Sequence, residues 1–229
     1  MKKTGSLSRK IYYAVLLLTA ASAIVIGCYN WAQRGLGRGL VGFAGLAFLP
    51  LPWLVCKVFR LRPAYQMDSL LLLFIFLAFQ LGTALGFYTY LAYYDLFAHF
   101  LCGFVFTEIG LCVYLAMKQD KTDALHRDAL VGASFSFFAT QFASAMWEIW
   151  EYLGFLLFGH DSQNVAATGV GDTMEDIMIC MAGSLVMAVI LYFHMKGCRR
   201  FWVLRPVDEF YRVNCETPRT NETPNISTK

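Results

Sequence analysis

Polar links cut this chain into six apolar runs, and that pattern leaves it few ways to fold. Inside hydrocarbon every backbone N–H and C=O must be bonded within the protein, so a run that crosses a bilayer as a single segment does so as a helix. About 20 apolar residues at 1.5 Å per residue cover the hydrocarbon core. The runs lie at 11–28, 40–58, 69–90, 95–117, 129–158 and 172–195. Of the 229 residues, 58% are hydrophobic and 15% charged. A soluble domain has roughly a quarter of its residues charged, so no large soluble domain fits beside the runs. The expected fold is all-α: a polytopic integral membrane helix bundle of about six transmembrane helices. One transmembrane domain covers 1–195 and a tail covers 196–229. The end of that tail is polar and carries Pro218 and Pro224, a composition that leaves a segment disordered.

The basic start and apolar core of the first run are also features of a signal peptide, and Val25-Ile26-Gly27-Cys28 resembles a lipoprotein cleavage box. The run is long enough to span, and we read it as a retained first helix. Pro50 and Pro52 lie inside the second run, where each removes a backbone donor and predicts a kink. Gln80 and Thr83 lie inside the third and are expected to bond to a neighbouring helix. Tyr88, Tyr90, Tyr93 and Tyr94 cluster after it, as in an interfacial aromatic belt.

Six spans put both termini on one side. All of the 19 Lys and Arg fall on that side except Arg34 and Arg38. Cytoplasmic loops carry the excess of Lys and Arg, so both termini are expected in the cytoplasm. The Asn-x-Ser/Thr triplets at Asn221 and Asn225 would then be chance. A net charge of +3 is too small to suggest nucleic acid. Seven Cys without C-x-x-C spacing argue against a disulfide framework or a zinc cluster, and packing is the expected role.

Ionisable groups inside such runs are costly, rare and functional by default. Trp147-Glu148-Ile149-Trp150-Glu151 places two carboxylates well inside the fifth run. Asp95 and His99 open the fourth, and Asp172 and Asp176 open the sixth. Each of these last pairs is four residues apart and so shares a helix face. In the expected topology all six groups reach one outward-facing pocket. Gly103 and Gly183 continue the two stripes inward, and small residues there allow helices to approach closely. Glu108 lies about 180° around the helix from His99 and stays outside the site. Gln163 and Asn164 suit a turn or the pocket mouth, and Trp147 and Trp150 suit the membrane interface.

Three chemistries fit. Five carboxylates and one imidazole can hold one or two divalent ions; oxygen ligands suit Mg or Mn, and the His admits Fe or Zn. Such an ion activates water or clamps a phosphate. The same groups can form a proton relay or ion site of a carrier, with Gln80, Glu108 and Gln141 as the candidates for a path. They can also be a structural network. Asp95 and Asp172 suit helix caps, and Asp172 with Glu175 has capping-box spacing. That capping alternative leaves His99, Asp176, Glu148 and Glu151 unexplained. P-loop, G-x-S-x-G and H-E-x-x-H patterns are absent, and Glu148-x-x-Glu151 lacks the E-x-x-H of di-iron bundles.

Over residues 65–195 the chain resembles the YjdF-like family of uncharacterised bacterial inner-membrane proteins. The resemblance rests on Tyr94-Asp95-Leu96-Phe97-Ala98-His99-Phe100-Leu101-Cys102-Gly103, on Trp147-Glu148-Ile149-Trp150-Glu151 and on Gly171-Asp172-Thr173-Met174-Glu175-Asp176. The order of these groups is also similar, more loosely, to VanZ-like membrane proteins. It departs from them at Leu96, where they have Lys, and at Glu151, where they have Gln. The resemblance implies a multi-pass protein of a bacterial cytoplasmic membrane and brings no activity with it. The expected function is a divalent-metal site (Zn, Mn, Mg or Fe) formed by Asp95, His99, Glu148, Glu151, Asp172 and Asp176. It would serve an enzyme acting on a lipid-linked or envelope substrate. The alternatives are a transporter or proton-coupled carrier, and a structural or accessory membrane protein.

Overall fold

Helix α6 (Tyr94–Met117) is the centre of the molecule, packed on one side by α8 (Ala129–Phe158) and α10 (Gly171–Met195) and on the other by α4 (Tyr65–Ile75). The computed structural model describes residues 2–118, 124–159 and 161–216. His160, Lys121 and the end of the tail with Asn221 and Asn225 lie outside them. Before α4 come α1 (Lys2–Arg34), α2 (Leu36–Ala44) and α3 (Leu51–Val58). Three short helices fill connections: α5 (Phe87–Tyr90), α7 (Ala124–Arg127) and α9 (Val165–Thr168). The last described helix is α11 (Arg205–Asn214). The described residues contain no strand.

Among the described residues five helices are long and apolar enough to cross a membrane: Ser6–Arg34, Tyr65–Ala84, Tyr94–Met117, Ala129–Phe158 and Gly171–Met195. A sixth is obtained if Leu36–Phe48 and Leu51–Val58, inclined by 41°, form one broken span. The break falls at Pro50 and Pro52, because a proline ring inside a helix removes a donor and clashes with the turn before it. At 30 residues α8 is about 45 Å long, more than the hydrocarbon thickness, so it tilts or projects from the bilayer.

The third run ends earlier than its hydropathy suggests. Past Ile75 the helix widens to π-helical turns over Phe76–Ala84 and stops before Gly86, whose φ of 90° suits only glycine. The Tyr88 ring then folds back onto Gly82, where a Cβ would come within 2.5 Å of it. Gln80 is fully buried and donates to the Thr19 carbonyl, while the Ser22 hydroxyl donates to its Oε1, as expected of a residue that ties α4 to α1. Thr83 is exposed and makes no such contact.

The apolar core sits at the end of the bundle that carries the termini. Leu111, Leu115, Met187, Leu191 and Met195 of α6 and α10 meet Leu204, Val207 and Phe210 of the α11 segment. Glu209 of α11 accepts a 2.6 Å bond from the Gln66 backbone N–H, a donor in the first turn of α4 that has no helical partner. His194 bonds Asp208 at 2.8 Å. Lys118 donates to Asp128 in the connection before α8, and that bond holds the Asp128 carboxyl below its ordinary range. The opposite end of the bundle is built differently.

A candidate metal centre at the far end of the bundle

Away from the termini, α6, α8 and α10 converge around the ionisable groups. Two glycines set the approach of α6 to α10. A Cβ on Gly103 would overlap the Cys180 carbonyl oxygen and come within 2.7 Å of the Ser184 nitrogen. A Cβ on Gly183 would overlap the Phe100 carbonyl. Only the missing side chains let the backbones touch here. One turn beyond this crossing, His99 faces Asp176.

The His99 Nε2 lies 3.5 Å from Asp95 Oδ1 and 3.7 Å from Asp176 Oδ2. One ligand atom from each residue fits within 4.8 Å of the others. These separations are at or beyond the limit of a hydrogen bond. They match ligands of a common ion, since bonds of about 2.1 Å at tetrahedral angles hold donors roughly 3.4 Å apart. Asp176 is buried, His99 nearly so, and Asp95 lies at the mouth.

The other three candidates stand close to this triad but are not part of it. Asp176 lies within electrostatic range of Asp95, Asp172, Glu148 and Glu151, so the five carboxylates and His99 form one acidic cluster. Glu148 is only 4% exposed. Its Oε2 accepts a 3.0 Å bond from the Gln163 side chain, whose amide also donates to the Glu148 carbonyl at 3.1 Å. Its Oε1 has no hydrogen-bond partner, although Thr173 lies beside the carboxylate. Asp172 accepts a 3.1 Å bond from Asn164, and Glu151 accepts a 3.2 Å bond from the Trp147 indole. Among the described residues no Lys or Arg pairs with any of the five carboxylates; Arg34 at this end stacks on Tyr90 instead.

The capping alternative does not hold. Tyr93 and Val170 occupy the N-cap positions of α6 and α10, and neither helix has a side-chain cap bond. Asp172 takes the Asn164 amide instead of a backbone N–H. Of the two roles that suited Gln163, a turn or the pocket mouth, its bonds to Glu148 favour the second. The connection after α8 closes over the pocket and buries Gln163, with Asp161 bonding the N–H groups of Val165 and Ala166 to shape the loop. Trp147 and Trp150 are exposed on the bundle surface, as expected of interfacial rings.

One feature missed from sequence is the buried face of α8. Gly132, Ser136, Thr140, Ser144 and Glu148 recur every four residues and are all buried. Thr140 meets Thr107 of α6 at 3.1 Å, and Gln141 bonds Ser184 of α10 at 2.6 Å. The four-residue spacing was the available signal. Glu108 is buried elsewhere on α6 and leaves its Oε2 without a partner.

Residues 11–197 match a family model described as "Predicted membrane protein (DUF2238)". The chain belongs to that family. It is the YjdF-like family, so that resemblance stands, while the likeness to VanZ-like proteins finds no support. No curated protein and no solved structure matches the chain. Family membership and the five apolar helices make this a multi-pass membrane protein embedded in a lipid bilayer.

Proposed function

We propose that Asp95, His99 and Asp176 hold a divalent metal ion in a pocket on the non-cytoplasmic side of a bacterial cytoplasmic membrane. There the protein acts as a hydrolase or transferase on a phosphate-bearing, lipid-linked or envelope substrate. The observation that carries this reading is the His99 Nε2 standing 3.5 and 3.7 Å from two carboxylate oxygens, in an acidic cluster that no Lys or Arg among the described residues offsets. Unpaired buried charge is costly, and a cation is the natural compensation. One imidazole with two carboxylates suits Mn, Fe or Zn better than Mg. A bound ion there supplies a Lewis acid and a water of lowered pKa. Of the chain's own groups, Gln163 fixes the Glu148 carboxylate through Oε2 and leaves its Oε1 without a partner. The Lys and Arg distribution supports the sidedness.

The test is metal content. The full-length protein is purified in mild detergent without chelator, beside a folded Asp95→Asn/His99→Gln/Asp176→Asn variant, and both are measured by elemental mass spectrometry. A stoichiometric divalent ion that the variant lacks is expected. A folded wild type that takes up no divalent ion, even on reconstitution, overturns the reading. The buried row through Ser136, Thr140 and Thr107, with Glu108, favours a second reading as a proton-coupled carrier. That reading requires gradient-driven uptake in vesicles, which the metal-site enzyme does not.

A further inference from the structure

We propose that the same pocket takes a second divalent cation, held by Glu148 and Ser144 of α8, next to the ion of the triad. This rests on the metal-site reading above and deepens it. Two buried oxygens in this region have no partner. Ser144 is 3% exposed and its Oγ makes no hydrogen bond; Glu148 is 4% exposed and its Oε1 makes none. They are four residues apart on one face of α8, so they stack one above the other. Ser144 lies beside the sulfur of Cys180 on α10, and Glu148 is within electrostatic range of that sulfur. Through Cys180, Ser144 sits about one helical turn inward of the triad's Asp176.

Charge arithmetic points the same way. An ion at the triad offsets Asp95 and Asp176 and leaves Glu148, Glu151 and Asp172. Each of those three has a neutral donor, from Gln163, Trp147 and Asn164 respectively. A hydrogen bond from an amide or indole spreads a charge but does not neutralise it. The Gln163 amide also fills only one oxygen of Glu148 and leaves the other without a partner. Carboxylate and hydroxyl oxygens are hard ligands that suit Mg²⁺ or Mn²⁺. The remaining ligands would be water and a carboxylate from Asp172 or Glu151. Two divalent ions in one acidic pocket clamp the attacking and leaving oxygens of an in-line displacement at phosphorus. The second cation therefore narrows the substrate class to phosphate esters or anhydrides.

The test uses Mn²⁺ as the probe on full-length protein in mild detergent. Metal-free wild type, Ser144→Ala, Glu148→Gln and the triad variant are equilibrated with Mn²⁺, and stoichiometry and electron paramagnetic resonance are read together. The expected result is two Mn²⁺ per wild-type chain with a spin-coupled signal. Glu148→Gln should keep one uncoupled ion, and in Ser144→Ala the second ion should bind at least tenfold more weakly. Ser144→Ala removes only one hydroxyl, beside the Cys180 thiol, so matching unfolding curves of the metal-free proteins separate lost binding from lost fold. A single Mn²⁺ in wild type, unchanged in Ser144→Ala and Glu148→Gln but lost in the triad variant, overturns the second site and leaves the first. No Mn²⁺ in wild type overturns both.

Discussion

The sharpest perturbation is Gly103→Ala. The new Cβ would overlap the Cys180 carbonyl and stand 2.7 Å from the Ser184 nitrogen, and both are backbone atoms that no rotamer change can move. Restoring an ordinary contact of 3.4 Å to the Ser184 nitrogen alone requires α6 and α10 to part by about 0.7 Å, and the closer Cys180 oxygen requires more. The same parting carries His99 Nε2 from 3.7 Å to roughly 4.4 Å from Asp176 Oδ2. Two ligands of one ion with bonds of about 2.1 Å cannot be more than roughly 4.2 Å apart, even in trans. The variant should therefore lose metal affinity by at least about tenfold, the scale seen when the supports of a ligand are disturbed. Overpacking costs about 1–3 kcal/mol, and Ala recovers roughly 1 kcal/mol of helix propensity. A net loss of about 0–2 kcal/mol lowers Tm by up to roughly 8 °C in a chain of this size. Gly154 of α8 is the control, because nothing lies within 4 Å of a Cβ there. Gly154→Ala should bind metal like wild type and unfold at the same temperature or higher. Thermal unfolding in detergent and metal titration read both effects. If Gly103→Ala binds metal with wild-type affinity and keeps its Tm, the claim that this crossing sets the ligand distances is wrong.

Two other changes probe the two ends of the bundle separately. Gln163→Glu replaces the amide that bonds Glu148 with a sixth carboxylate, so the metal-free protein should melt lower and a divalent ion should raise its Tm by more than in wild type; equal shifts in the two proteins would count against a carboxylate-lined pocket. Glu209→Ala strips the acceptor from the Gln66 N–H at the start of α4 and should cost about 1–3 kcal/mol in unfolding, with metal content unchanged; an unaltered unfolding curve would mean that α11 does not brace the bundle.

The helices were legible from the sequence because bilayer physics leaves long apolar runs little choice, and Pro50 and Pro52 announced the one bend. Hydropathy misread the places where a side chain acts on another element. It carried the third run to Tyr90, because it cannot see that Gly86 turns left-handed or that Tyr88 packs back on Gly82. It also assigned no element to the start of the tail. There Val207 and Phe210, three apart and both buried, were the sign of an amphipathic helix docking under the bundle. At the site, four-residue spacings put Asp95 with His99 and Asp172 with Asp176 on common faces. Spacing cannot say which oxygen meets which nitrogen. It therefore could not separate the triad from Glu148, whose partner Gln163 arrives on a loop.

The division of labour between the two ends follows from the same residues. At the end with the termini, Leu111, Leu115, Leu191 and Met195 are sealed under α11, and buried polar groups such as Glu209 and His194 have partners. At the far end five carboxylates crowd together, and Glu148 and Ser144 each keep an oxygen without one. A purely structural network would be expected to satisfy its buried oxygens, since a half-satisfied one is worse than apolar packing. The far end is thus destabilising on its own terms and persists because the sealed end and the Gly103–Gly183 crossing hold α6, α8 and α10 in place. Strain of this kind, maintained by structure elsewhere, is the pattern of a site kept for what it binds.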